Sequence, residues 1–181
     1  MLALTPHPGS PPAADSVTVE WEWHDARRLW LRYHAEAPLE QLELPDPSAR
    51  PQRRDGLWQT TCFELFLRVP GGHAYAEFNF SPSRDWAAYA FADTRAGQST
   101  LTLPQAPEIF LETDDNHLAL EARVTLPDAL RGTALDGALS AVIAKKVGPK
   151  SYWALHHPDP RKPDFHHPGC FVADLSPPWP P

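Results

Sequence analysis

Short runs of alternating apolar and polar residues recur along most of the chain. In residues 17–23 and again in residues 29–33, apolar side chains occupy every second position. A period of two places alternate side chains on one face of a β-sheet. Residues 62–69 are more continuously apolar, which predicts a central strand buried on both faces.

Further strand-like runs follow at short intervals, separated by turns rich in Gly, Pro, Asn and Asp. They cover residues 74–80, 86–91, 109–113, 118–124, 138–147 and 171–175. Only residues 128–131, after Pro127, look helical, for about one turn. The spacing predicts roughly 9 to 11 strands in an all-β fold, most economically a two-sheet antiparallel β-sandwich of the jelly-roll kind.

Prolines divide the chain into a domain and two ends. There are 22 of them, concentrated in residues 6–12 and in the closing residues 177–181. We therefore expect residues 1–16 to be a Pro-rich N-terminal tail and residues 176–181 a Pro-rich C-terminal tail. Residues 17–175 would form one ligand-binding β-sandwich domain.

Charge and cysteine content narrow the possible partners. The formal net charge is −7, so nucleic acid and anionic membrane surfaces would be repelled, and neither is an expected partner. No secretory leader or long apolar segment is visible, which predicts a soluble, cytoplasmic protein. Cys62 and Cys170 lie far apart within apolar segments and are expected to be buried free thiols. The oligomeric state has no signature in the sequence.

Two tryptophans stand out from those expected to pack in sheets. Trp58 follows a polar turn, and Trp153 leads into a loop rich in Pro and His. Aromatic rings at strand ends, with polar groups nearby, are what a sugar-binding cleft requires. Glu64, Glu77 and Asn79 could supply those polar groups, because Glu77 and Asn79 are two positions apart and share a face. The alternative is that these three residues lie on the solvated face of a sheet.

The histidine-rich loop offers a metal hypothesis and a simpler one. His156-His157 and His166-His167 form two doublets ten residues apart. One His of each doublet, with Asp159 or Asp164, could build a zinc site. The alternative is a Pro-rich loop whose histidines bond to its backbone. The sequence contains no GxSxG, GxxxxGK[ST], GxGxxG or HExxH motif.

Three motifs carry a resemblance to a known group of domains. They are W-x5-E-x-F-L from Trp58, Y-x-E-F-N-x-S-P from Tyr75, and Y-W-x-L with F-H-x-P-x-x-F in residues 152–171. From about residue 17 to 175, the chain resembles the DOMON superfamily and the related family 9 carbohydrate-binding modules. The resemblance implies a β-sandwich that binds a sugar or haem and is not an enzyme.

In the sugar-binding members, two tryptophans clamp the glycan while polar side chains meet its hydroxyls. The resemblance implies that Trp58 is the first clamp residue and Trp153 the second, with Glu64 and Asn79 among the polar groups. Glu77 stands where those members have arginine, an acidic acceptor in place of a basic donor. Such families also hold structural calcium, but Asp93, Asp114 and Asp115 match no known calcium pattern.

Two further functions remain open at this point. The first is a haem-binding redox domain. Met1 is the only methionine, so the axial ligands would be His73 or His117 with His166 or His167. His166 and His167 are thus the alternative haem or metal ligands, and no other metal site is predicted.

The second is glycoside hydrolysis, with Glu64 and Glu77 as paired carboxylates. It has no support beyond composition, and the fold resembled is a binding fold. The sequence therefore predicts a non-catalytic domain without a required cofactor, whose ligand is a glycan or another small molecule.

Overall fold

The computed structural model describes residues 1–179, and Pro180 and Pro181 of the expected C-terminal tail lie outside the described residues. Antiparallel strands dominate the described part of the chain, and the helical segments within it are single turns of 3-10 helix. The strands are β1 (Leu2–Pro6), β2 (Ser16–Trp23), β3 (Arg28–Glu36), β4 (Cys62–Arg68), β5 (Tyr75–Phe80), β6 (Trp86–Phe91), β7 (Ser99–Thr100), β8 (Glu108–Thr113), β9 (His117–Thr125), β10 (Asp136–Ile143), β11 (Ser151–Ala154) and β12 (Ala173–Asp174). The 3-10 turns are Leu39–Gln41, Leu57–Gln59, Asp128–Leu130 and Pro168–Cys170.

The strands form two sheets that meet at β1. Sheet A has the order β1-β2-β3-β9-β8, and sheet B has the order β7-β6-β5-β4-β10-β11-β1, with β12 also paired to β10. The first half of β1 pairs with β2, and its second half, Thr5 and Pro6, pairs with Ala154 and Trp153 of β11. One strand therefore carries the hydrogen-bonded path from one sheet to the other.

A shared apolar core fills the space between the sheets. Side chains on β3 alternate between buried and partly exposed, so sheet A turns one face inward and one toward water. Tyr33 of β3 and Phe63 of β4 have ring centroids 5.0 Å apart, and the Tyr33 hydroxyl donates to the Glu64 carbonyl at 2.7 Å. This packing confirms the predicted β-sandwich.

The outer face of sheet B, which points away from sheet A, is also largely covered. Phe66, Tyr75 and Phe91 on that face pack with Phe165 and Phe171 from the loop before β12. As a result, every residue of β5 is buried, and so is every residue of β4 except Arg68. The predicted two-face burial of residues 62–69 is confirmed for residues 62–67, whereas Arg68 is partly exposed and Val69 is exposed. Cys62 and Cys170 are buried free thiols as expected.

The expected N-terminal tail is wrong where β1 forms. Leu2–Pro6 is a sheet strand, and beyond it Ala13 and Ala14 are buried, with the Ala13 N–H donating to Ser151 Oγ at 3.0 Å. Partners about 150 residues away hold this segment, which local composition does not reveal. Residues 176–179 form no helix or strand.

No helix among residues 1–179 is long and apolar enough to cross a membrane.

Candidate functional site

An open groove of about 550 Å³ lies at the β6–β7 edge of sheet B. Its lining combines one indole ring and one phenol ring with charged, amide and hydroxyl side chains. The lining residues are Arg53, Asp55, Gly56, Trp58, Gln59, Tyr89, Gln98, Ser99 and Thr100. We refer to it as the Trp58 groove.

The local backbone explains why Trp58 is presented to solvent. Gly56 has φ of +76°, in the left-handed region that glycine adopts most easily, and the 3-10 turn Leu57–Gln59 follows directly. Leu57 is buried in the cluster on the outer face of sheet B, whereas the adjacent Trp58 is 53% exposed. The buried Leu57 side chain therefore fixes the turn against sheet B, and the indole ring of Trp58 is exposed to solvent.

Tyr89, Asp55 and Arg53 form a bonded group of side chains in the lining of the groove. The Tyr89 hydroxyl donates to Asp55 Oδ1 at 2.7 Å, and the Arg53 guanidinium lies 3.1 Å from the same oxygen. Arg53 also lies over the Tyr89 ring, 5.2 Å from its centroid. Burial, followed by the Asp55 carboxylate, raises the pKa of Tyr89, so this hydroxyl remains a hydrogen-bond donor at neutral pH.

Lys150 approaches the groove from the loop before β11. Its ammonium nitrogen lies 5.7 Å from the centroid of the Trp58 ring, within the range of a cation–π contact. The exposed aromatic ring therefore has a cation near it.

Glu64, Glu77 and Asn79 come together on the outer face of sheet B, where the shared face of Glu77 and Asn79 is the one that the alternation predicted. Glu64 lies directly opposite Asn79 across β4 and β5, and Asn79 Nδ2 donates to Glu77 Oε1 at 2.8 Å. On the other side of Glu64, Ser140 Oγ donates to Glu64 Oε2 at 3.4 Å. These side chains are buried, with Glu64 4% and Glu77 5% exposed, so the alternative of a solvated face is wrong.

Burial of two carboxyl groups on one face changes their titration. Desolvation, and then repulsion from Glu77, raises the pKa of Glu64 well above its ordinary value. Burial likewise raises the pKa of Glu77. The pair therefore holds protons to higher pH than exposed carboxyl groups do.

His166 covers this acidic face. Its Nδ1 lies 2.7 Å from the Tyr75 hydroxyl, and its Nε2 lies 3.8 Å from Glu77 Oε2. Burial, followed by the positive charge of Arg95, lowers the pKa of His166 to about 4. The imidazole is therefore neutral at pH 7, and its Nδ1 shares a hydrogen bond with the Tyr75 hydroxyl.

The predicted tryptophan clamp is wrong, because Trp153 lies on the other face of sheet B. In the β11–β10–β4 register, Ala154, Ser140 and Glu64 share a face, which places Trp153 with Phe63 on the inner face. Trp153 is 3% exposed and belongs to the core between the sheets. It borders a different groove, of about 570 Å³, beside β1.

The histidine doublets do not form the proposed zinc site. His157 Nε2 lies 2.9 Å from the Thr5 carbonyl oxygen, and His167 Nδ1 accepts the Gly169 N–H at 3.0 Å. Asp159 pairs with Arg161, and Asp164 with Arg95. Within residues 1–179, no three His, Cys, Asp or Glu side chains are grouped to hold a metal ion.

The proposed bis-His haem ligation is also unsupported. His117 lies on β9 in sheet A, with its Nδ1 2.9 Å from Glu36 Oε1. His166 lies over the outer face of sheet B, against Phe66 and Tyr75. The sandwich therefore separates this pair of candidate ligands.

Several residues of the Trp58 groove were absent from the predicted site. Arg53 and Asp55 belong to the polar turn before Trp58 and could have been included on that ground. Tyr89 and Gln98 had no such signal, because their approach to Trp58 depends on the pairing of β6 with β5 and β7.

Comparisons with known proteins bear on the fold. No protein-family model matches the sequence, and comparison with curated proteins found no match. Among solved structures, the chain is similar to a candidate carbohydrate-binding protein from Bacteroides uniformis, with a TM-score of 0.60 and 14% identity over 86% of this chain and 76% of that one. It is also similar to a family 9 carbohydrate-binding module from Caldicellulosiruptor kristjanssonii in complex with cellotriose, with a TM-score of 0.50 and 13% identity over 85% of this chain and 73% of that one. The chain is therefore a β-sandwich that shares its fold with a family 9 carbohydrate-binding module.

Proposed function

We propose that this chain is a non-catalytic carbohydrate-binding domain, and that the Trp58 groove is its site. The observation that carries the proposal is the half-exposed Trp58 ring in an open groove that Tyr89 also lines. An apolar ring face stacks on the C–H face of a pyranose, while fixed polar groups select its hydroxyls. The structural neighbour crystallised with cellotriose supports the same ligand class.

The polar groups around the groove match the needs of a sugar. Gln59 and Gln98 offer both donors and acceptors, Arg53 offers donors and Asp55 offers acceptors. Glu77 lies directly opposite Tyr89 across β5 and β6, so the buried group of Glu64, Glu77 and Asn79 adjoins the groove.

Burial of the carboxyl pair argues against hydrolysis. A glycosidase needs one carboxyl group at the leaving-group oxygen and a second within reach of the sugar ring. Only Glu77 adjoins the groove, opposite Tyr89, whereas Glu64 is 4% exposed on the strand behind it, so the two cannot flank a glycosidic bond of a sugar in the groove. We therefore assign them no catalytic step.

Trp58→Ala tests the proposal. We expect at least tenfold weaker binding of any glycan that the parent binds, about 1.4 kcal/mol, because a stacked ring contributes ~0.5 to 1.5 kcal/mol beyond its buried area. A glycan array followed by calorimetry measures the change. Phe110→Ala is the matched control, because Phe110 is a 48% exposed aromatic on β8 in sheet A. The proposal is wrong if the parent binds no glycan, or if both variants bind like the parent.

A further inference from the structure

The acidic face beside the groove has hydrogen-bond acceptors without matching donors. Glu77 Oε1 accepts from Asn79, but Oε2 makes no hydrogen bond among the described residues, and His166 Nε2 lies 3.8 Å from it, too far for one. Asn79 Oδ1 has no hydrogen-bond partner among the described residues, and Asn79 is fully buried. Asn79 lies opposite Glu64 and bonds Glu77, so its free oxygen belongs to the space around the two carboxyl groups.

The nearby cations are already engaged with other acidic groups. Arg95 pairs with Asp164 at 2.7 Å, and Arg53 pairs with Asp55 at 3.1 Å. His166 is neutral at pH 7, because burial lowers its pKa to about 4. Within residues 1–179, no Lys or Arg side chain forms an ion pair with Glu64 or Glu77, although the positive charge of Arg95 favours the ionised form of both.

The groove gives a ligand a route to Glu77. Directly paired residues of antiparallel strands have Cβ atoms about 5 Å apart, and Glu77 is paired in this way with Tyr89, whose ring lines the groove. Of the two carboxyl groups, Glu77 is also the one next to Tyr89, and its side chain keeps 7% exposure. Glu77 is therefore the member of the acidic pair that a substituent on a sugar in the groove would meet, on the Tyr89 side of the groove.

We propose that the groove selects amino sugars, whose ammonium group binds the Glu77 carboxylate with Glu64 and Asn79 Oδ1 as further acceptors. This inference rests on the proposed carbohydrate-binding function. An ammonium group brings three donors and one positive charge, which complement unpaired acceptors and two carboxyl groups. A hydroxyl group supplies a single donor and no charge, so neutral sugars lack this attraction.

Calorimetry on matched sugars tests the inference. The ligands are glucose, galactose and mannose, each compared with its 2-amino and its 2-acetamido derivative. The acetamido sugars keep a substituent at the same carbon without the charge. In the parent protein, we expect at least one amino sugar to bind tenfold or more tightly than both of its matched neutral forms.

Binding of the ammonium group should also release protons. The free protein holds protons on the acidic pair above the ordinary carboxyl range, and a bound cation favours the ionised form. The observed binding enthalpy should therefore differ between phosphate and Tris buffers at the same pH. For the release of one proton, the difference equals the difference between the ionisation enthalpies of the two buffers. Neutral sugars should show no such difference.

Glu77→Gln should reduce the amino-sugar preference to threefold or less and abolish the proton release. Glu112→Gln, which alters a 70% exposed carboxylate on β8 in sheet A, should keep both. The inference is overturned if the preference survives in Glu77→Gln, or if neutral sugars bind as tightly as amino sugars. In the second case, weaker binding by Trp58→Ala would still support the proposed function. If no sugar or glycan binds the parent, both proposals are wrong.

Discussion

At the scale of single residues, Trp58 and Trp153 show why residue type does not predict a role. Both follow polar segments and precede or enter strands, yet Trp58 is 53% exposed and Trp153 is 3% exposed. The face that Trp153 occupies depends on its register with β10, where it lies opposite Ala141. A shift of one residue would move it to the other face, and the sequence contains no mark of that register.

The shared face of Glu77 and Asn79 was predictable because it depends on a single rule. The period of two within β5 places Glu77 and Asn79 on one face, and the β4–β5 pairing adds Glu64. Their burial was not predictable, because it comes from His166 and its neighbours in a loop more than 80 residues later.

The buried acidic pair predicts a pH-dependent stability. For Glu64, burial raises the folded-state pKa above the unfolded value of about 4.3. As the pH rises from that value toward the folded-state pKa, the unfolded chain loses its proton first, so the folded state loses relative stability at up to ~1.4 kcal/mol per pH unit. Glu64→Gln cannot ionise, so its stability relative to the parent should increase between pH 4 and pH 8.

Urea denaturation at pH 4, 6 and 8 measures this difference in the free energy of unfolding. Glu112→Gln, an exposed carboxylate on sheet A, is the control and should track the parent. A constant difference between Glu64→Gln and the parent across this range would contradict the assignment of a raised pKa.

At the scale of elements, strands with a strong apolar pattern were predicted closely. Residues 86–91 match β6 (Trp86–Phe91), and residues 109–113 match β8 (Glu108–Thr113) within one residue. The strands that the pattern missed are short or rich in Pro. The missed strands are β1, β7 and β11. Their hydrogen bonds come from distant partners, so tertiary contacts outweigh local preference there.

β1 supplies a test at this scale. Leu4 is 4% exposed within the core, whereas Leu2, two positions earlier on the same strand, is 41% exposed. Leu4→Ala should destabilise the fold by about 2 to 5 kcal/mol through lost burial and the cavity it leaves, and Leu2→Ala should cost much less. Thermal melting of both variants measures the difference. Equal melting temperatures for Leu4→Ala and the parent would mean that residues 1–16 are a tail after all.

At the scale of the whole molecule, one core and one shared strand join the two sheets. Leu31 and Tyr33 of sheet A lie in the same apolar cluster as Phe63 and Leu65 of sheet B. Neither sheet can keep its inner face buried without the other. We therefore expect both sheets to unfold in a single cooperative transition.

Two probes of urea unfolding check this expectation. Far-ultraviolet circular dichroism reports on both sheets, and tryptophan fluorescence includes Trp153 and Trp23 of the core. The two transitions should coincide in midpoint and slope. Separate midpoints would show that the sheets unfold independently, and they would contradict the shared core.

The position of β1 also has a consequence for synthesis on the ribosome. Thr5 lies opposite Ala154, 149 residues later in the chain. At 5 to 20 residues per second, translation separates the two by roughly 7 to 30 s. Throughout that interval β1 can pair with β2, but Thr5 and Pro6 lack their β11 partners, and the sandwich cannot close. A nascent chain of this protein must therefore keep the second half of β1 from other contacts until almost all of the domain has been made.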